Sequence, residues 1–127
     1  MELPHAETLD LSCDARGVLT VALNRPEKRN AFSGQMIADL HEFAQKVSAM
    51  DAVRVVVLRG RGRVFCAGGD LEWMKAQIAA DRAGRMAEAR KLAQMLKRLN
   101  TLPKPLIGVL QGGAYGGGVG LAAICDV

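Results

Sequence analysis

Two separated glycine clusters set the strongest limit on what this chain can fold into. The first is Cys66-Ala67-Gly68-Gly69-Asp70-Leu71. The second is Gly112-Gly113-Ala114-Tyr115-Gly116-Gly117-Gly118, followed by the apolar run Val119–Ile124. Each cluster follows β-like residues and leads into a helical pattern. A glycine-flanked loop that opens a helix leaves backbone N–H groups without partners at a positive dipole end. Two such loops, brought together, can hold one developing negative oxygen between two N–H donors. The 14 glycines are clustered rather than periodic, which points to special loops and away from collagen-like or disordered chains.

The elements around these clusters follow from periodicity. Leu9–Cys13 and Val18–Leu23 read as strands joined by the turn Asp14–Gly17, with Gly17 able to take positive φ. Pro26 closes the second strand because it has no N–H for a ladder. Ser33 is an N-cap for an amphipathic helix from about Gly34 to Met50, with Met36, Ile37, Leu40, Phe43 and Val47 at three- and four-residue steps. Val55–Leu58 is a short continuous apolar run of the kind found in buried parallel strands. Val64-Phe65-Cys66 predicts another short strand, Asp70–Ala79 a short helix, and Asp81–Asn100 a longer one. The core face of that longer helix is expected to carry Ala83, Met86, Ala89, Leu92, Ala93, Leu96 and Leu99. Pro103 and Pro105 stop it, and Leu106–Leu110 predicts a buried strand running into the second glycine cluster. The order predicts an α/β or α+β core with a parallel sheet component in one domain, residues 1–127. The apolar ending before Asp126-Val127 reads as an interruption on the C-terminal side.

Composition narrows the partners. The net charge of +4 suits a solvated basic surface or an anionic small ligand. With no concentrated basic run and few aromatics to stack on bases, the chain is not expected to bind nucleic acid, and a basic RNA-binding protein is only a third reading. Cys13, Cys66 and Cys125 are odd in number and contain no C-x-x-C pair, so they read as buried reduced thiols of a cytosolic protein. His5 and His41 have no metal-ligand spacing, and no metal is expected; His41, next to core-facing Leu40, reads as a flank residue. The N-terminus has neither a basic n-region nor an apolar h-region, and no apolar run reaches membrane length. The expectation is therefore a cytoplasmic protein without a membrane partner.

A glycine-rich turn between strand and helix has a rival reading as a dinucleotide-binding loop, but the acidic residue expected roughly twenty positions later would fall beyond Val127. The remaining segments favour another reading. Leu23-Asn24-Arg25-Pro26-Glu27-Lys28-Arg29-Asn30-Ala31-Phe32 stands after the second strand, Phe65–Leu71 after the central one, and Lys104–Gly112 leads into Gly116-Gly117-Gly118, with Cys125-Asp126 closing the run. In this order and spacing the whole chain resembles the crotonase, or enoyl-CoA hydratase/isomerase, family. The resemblance implies that family's α/β fold, a spiral core of ββα units, here truncated at its C-terminal side.

It also implies an acyl-CoA thioester as substrate, with no cofactor beyond the CoA carried by that substrate. The donors that grip the thioester oxygen match Gly69 and Gly117. Such donors stabilise the enolate oxygen more than the neutral carbonyl, and losing one typically costs about 3–4 kcal/mol of barrier. Arg25, Lys28 and Arg29 match partners of the CoA phosphates within a contact loop ending at Ala31. Ala67, Asp70 and Leu71 match positions lining the nucleotide and thioester. Full-length members usually form trimers or pairs of trimers, which implies a homotrimer or hexamer.

One departure stands out. Family hydratases place a glutamate two residues after the third glycine, and a second farther downstream. Here the first position is Gly120 and the second would lie beyond Val127. Glycine cannot act as a general acid or base. Glu72 reads instead as a first-turn helix residue, and Asp126 as a structural hydrogen-bonding group. The expected activity is hydration of a 2,3-unsaturated acyl-CoA. The Gly-Gly-Gly-Val-Gly-Leu run resembles members that act on branched, carboxylated substrates such as methylglutaconyl-CoA. The alternatives are a double-bond isomerase and a non-catalytic acyl-CoA-binding fragment.

Overall fold

In the computed structural model, which describes residues 2–127, four strands form one mixed sheet in the order β1-β2-β3-β4. Met1, the first residue of the N-terminal segment read as lacking a leader, lies outside the described residues. β1 (Leu9–Cys13) and β2 (Val18–Leu23) form an antiparallel hairpin. Gly17 sits in its turn at φ +82°, where a Cβ would stand 2.5 Å from the Ala52 carbonyl. β3 (Val55–Gly60) and β4 (Leu106–Gly108) run parallel to β2. The sequence accounts for this hand-over: a helix must cross between parallel strands, and the amphipathic segment after Ser33 supplies it.

That helix, α1 (Gly34–Ser48), is capped by the Ser33 hydroxyl, which accepts from the Met36 N–H at 3.1 Å. Its apolar face packs on the sheet, so Met36, Leu40, Phe43 and Val47 join Leu19, Leu23, Val56 and Leu58 in one core. A second polar tether is Asp39, whose buried carboxylate accepts from both the N–H and the hydroxyl of Thr8. α2 (Leu71–Ala79) has no buried residue; the Trp73 indole N–H donates to Glu88 of α3 at 3.3 Å. α3 (Arg82–Asn100) is capped by Asp81, and α4 (Gly117–Ala123) follows the second glycine cluster.

Three expectations need correction. Val64–Cys66 does not form a strand; Cys66 makes one isolated bridge, to Ala114. The Phe65 N–H donates to the Gln111 carbonyl but the Cys66 N–H to the Gly113 carbonyl, so the pairing slips a residue at left-handed Gly112 (φ +63°). β4 is shorter than Leu106–Leu110, and Val109 and Leu110 are exposed. The core face of α3 is Leu92, Met95, Leu96 and Leu99, while Ala83, Met86, Ala89 and Ala93 face out. Only the C-terminal turns of α3 reach the core, while its N-terminal half meets α2 through the Trp73–Glu88 bond and keeps its alanines outward.

Asp126 is structural, as expected: its carboxylate accepts from the Leu106 N–H at 2.8 Å and its own N–H donates to the Leu106 carbonyl at 2.7 Å. All three cysteines are free, with Cys66 buried and the others half-buried. No helix among the described residues is long and apolar enough to cross a membrane.

Candidate active site

The loop after β2 begins with a single 3-10 turn, Pro26–Lys28, and then reverses through two left-handed non-glycine residues, Arg29 (φ +52°) and Asn30 (φ +56°). Asparagine tolerates that conformation because its short amide can bond locally. Asn30 is fully buried. Its side-chain oxygen accepts from the Arg25 N–H at 2.9 Å, and its amide donates to the carbonyls of Arg61 (2.8 Å) and Val64 (3.0 Å). Its own carbonyl accepts from the Cys66 thiol at 3.1 Å. One side chain thus ties the loop after β2 to the loop after β3, which carries the first glycine cluster. Sequence reasoning gave Asn30 no role; the available signal was an asparagine where the chain must reverse without glycine.

Arg25 and Asp70 make a second tie. The guanidinium donates to the Ala31 carbonyl at 2.7 Å and to the Asp70 carboxylate at 3.2 Å. The other carboxylate oxygen accepts from the Trp73 N–H at 3.1 Å, which caps α2. The Trp73 bond, and then the Arg25 guanidinium, hold the Asp70 carboxyl below the usual carboxylate value against the opposing pull of burial. Arg25, expected at the CoA phosphates, is therefore engaged inside the protein.

The two glycine loops lie side by side. The Tyr115 N–H donates to the Cys66 carbonyl at 3.0 Å. A Cβ on Gly68 would stand 2.8 Å from the Tyr115 carbonyl, and one on Gly118 would stand 2.6 Å from the Cys66 carbonyl. Side chains are excluded there because backbone meets backbone. Phe32 bonds to both sides of Gly69: its N–H donates to the Gly68 carbonyl (2.6 Å) and its carbonyl accepts from the Asp70 N–H (2.8 Å). Neither the Gly69 N–H nor the Gly117 N–H donates to any other described residue.

Beside Gly69 opens a cleft of about 420 Å³ lined by Lys28, Ala31, Ala67, Gly69, Asp70, Leu71, Glu72 and Met74. Six of the nine expected site residues meet there. Gly117 does not line it; it lies at the start of α4, against the ring of Phe32. Arg25 is behind the wall, and Arg29 is exposed, its carbonyl accepting from the Ala67 N–H at 3.0 Å. Glu72 reaches the cleft edge as a solvated first-turn residue, 3.7 Å from the Lys75 ammonium. Burial pushes the Cys66 thiol up, away from the thiolate form a nucleophile needs.

The profile of the Enoyl-CoA hydratase/isomerase family matches residues 14–127. The chain belongs to the enoyl-CoA hydratase/isomerase family. It is 42% identical over 116 residues to the Mycobacterium leprae protein named Probable enoyl-CoA hydratase echA6, covering 89% of this chain and 44% of that one. It is 37% identical over 129 residues to mitochondrial Delta(3,5)-Delta(2,4)-dienoyl-CoA isomerase of Mus musculus, covering 95% of this chain and 39% of that one. The crystal structure of an enoyl-CoA hydratase from Shewanella pealeana superposes with a TM-score of 0.92 at 32% identity, over 95% of this chain and 45% of that one. The chain thus spans less than half the length of these relatives.

Within this enoyl-CoA hydratase/isomerase fold, Gly120 falls in the middle of α4, facing α3. A Cβ there would meet Leu96 Cδ1 at 3.4 Å, an ordinary contact. Nothing in the backbone or the packing demands glycine at this position. Of the two carboxylates lining the cleft, Asp70 is bound to Arg25 and Trp73, and Glu72 is solvated.

Proposed function

We propose that this chain forms the thioester-binding half of an enoyl-CoA hydratase, with the Gly69 and Gly117 N–H groups donating to the carbonyl oxygen of an acyl-CoA. The observation that carries this reading is that both amides lack an acceptor on loops pressed together beside a cleft. Charge grows on that oxygen as the thioester becomes an enolate. Fixed backbone donors favour the charged state more than the neutral one, so they lower the barrier rather than only tightening binding. Lys28 supplies a cation at the cleft for the CoA phosphates, and exposed Leu71 and Met74 give an apolar wall. CoA arrives as part of the substrate.

With Gly120 at the expected acid/base position, this chain contributes the oxyanion donors and not the glutamate expected there. The likeness to a dienoyl-CoA isomerase keeps a second reading in view, in which one downstream carboxylate shifts a double bond and no water is added.

Calorimetric titration of the 127-residue chain with crotonyl-CoA and with free CoA tests the thioester site. Two hydrogen bonds to a neutral carbonyl, at about 1 kcal/mol each, predict a preference of roughly tenfold or more for the acyl form. Equal affinities would remove the thioester-oxygen site.

A further inference from the structure

We propose that Phe32 is a positioning residue that sets the gap between the Gly69 and Gly117 amides; the inference rests on the thioester site proposed above. Phe32 touches both sides of that site. Its N–H holds the Gly68 carbonyl at 2.6 Å. The Gly68 carbonyl and the Gly69 N–H belong to one peptide unit, and in a trans peptide these two groups point in opposite directions. Anchoring the carbonyl to Phe32 therefore aims the Gly69 N–H away from the Phe32 backbone and leaves it without a partner. The bond from the Asp70 N–H to the Phe32 carbonyl (2.8 Å) fixes the next peptide, so the unit cannot rotate freely.

The ring does the corresponding work on the second loop. It is fully buried, and its Cε2 lies 2.6 Å from where a Cβ of Gly117 would stand. Gly117 is the first residue of α4 and has no left-handed φ, so its backbone would accept alanine. What excludes a side chain at Gly117 is the Phe32 ring. One residue thus holds the first amide through its backbone and limits the approach of the second through its side chain. The sequence separates Phe32 from Gly117 by more than half the chain, which is why no local motif reveals the link.

The test is a double-variant cycle read by infrared spectroscopy of carbonyl-labelled crotonyl-CoA bound to the protein. Hydrogen bonds to the thioester oxygen lower the carbonyl stretching frequency, and a merely structural role for Phe32 would not change that shift in a folded variant. Phe32→Leu, which keeps an apolar group of similar reach, is expected to lose at least half of the wild-type shift. It is also expected to lower the preference for acyl-CoA over CoA by about threefold, the loss of part of one such bond. Gly117→Ala is expected to lose the shift as well. Phe32→Leu/Gly117→Ala is expected to regain part of it, because the new methyl occupies space the ring has left. If Phe32→Leu alone does not fold, the larger shift of the double variant over Gly117→Ala decides the question. A wild-type shift retained in Phe32→Leu, or a double variant no better than Gly117→Ala, would overturn the role of Phe32. A wild-type protein with no shift would overturn the thioester site itself.

Discussion

The Phe32 ring occupies the space a side chain on Gly117 would need, with Cε2 2.6 Å from the Cβ position. The glycine is required by a neighbour, not by its own dihedral angles. Gly117→Ala should therefore destabilise the fold by overpacking, by about 1–3 kcal/mol in urea unfolding. Gly117→Pro removes the donor but also carries a Cβ into the ring, so it does not isolate the loss of the amide. An alanine variant as stable as the wild type would show that α4 starts elsewhere.

Asp70 predicts an acid-sensitive link between the first glycine loop and the loop after β2. Its folded-state pKa lies below the ordinary value of 3.8, held there by the Trp73 N–H and the Arg25 guanidinium. A lowered pKa means that the stabilisation is complete above the unfolded value and is lost as pH falls through the folded one. Asp70→Asn keeps a capping oxygen and loses the charge. It should cost about 1–2 kcal/mol near neutral pH, and thermal melts across a pH series should show the gap closing below about pH 4. A gap that stays constant down to pH 2 would remove the ion pair as its cause.

Asn30 makes three side-chain hydrogen bonds from a fully buried position in the loop cluster. Replacing it with alanine leaves the Arg25 N–H and the carbonyls of Arg61 and Val64 without their partner at a part-buried site. Asn30→Ala should lower stability by about 2–4 kcal/mol, measured by chemical denaturation, with weakened crotonyl-CoA binding alongside. A loss below half of that would mean that water replaces the amide.

Gly120 predicts the opposite sign. Its Cβ position is open to an ordinary contact with Leu96, and its φ is not left-handed. Gly120→Ala should stabilise α4 by about 0.5–1 kcal/mol, seen as a raised melting temperature. A lowered one would show that α4 and α3 pack more closely than this.

The sequence made much of this legible where the signals are local. β1, β2 and α1 follow from alternation, a helical stripe and the Ser33 cap. The two glycine loops stood out because backbone contact leaves no substitute for glycine at Gly68 and Gly118. The strand expected at Val64–Cys66 failed because one left-handed residue, Gly112, shifts the pairing on the opposite loop. The outer face of α3 was misread because a spacing of apolar residues says nothing about how far the partner surface extends. Arg25 illustrates the remaining gap. Its partner Asp70 is 45 residues away, and an arginine after a strand looks the same whether it meets a phosphate or a carboxylate.

The most direct measurement is an amide NMR titration of the isotope-labelled chain, comparing crotonyl-CoA with a thioether analogue that has the same chain and no carbonyl oxygen. The Gly69 and Gly117 amide protons are both expected to move downfield with the thioester and to stay in place with the thioether. The same response to both ligands, or movement of only one of the two glycines, would contradict a shared oxygen site.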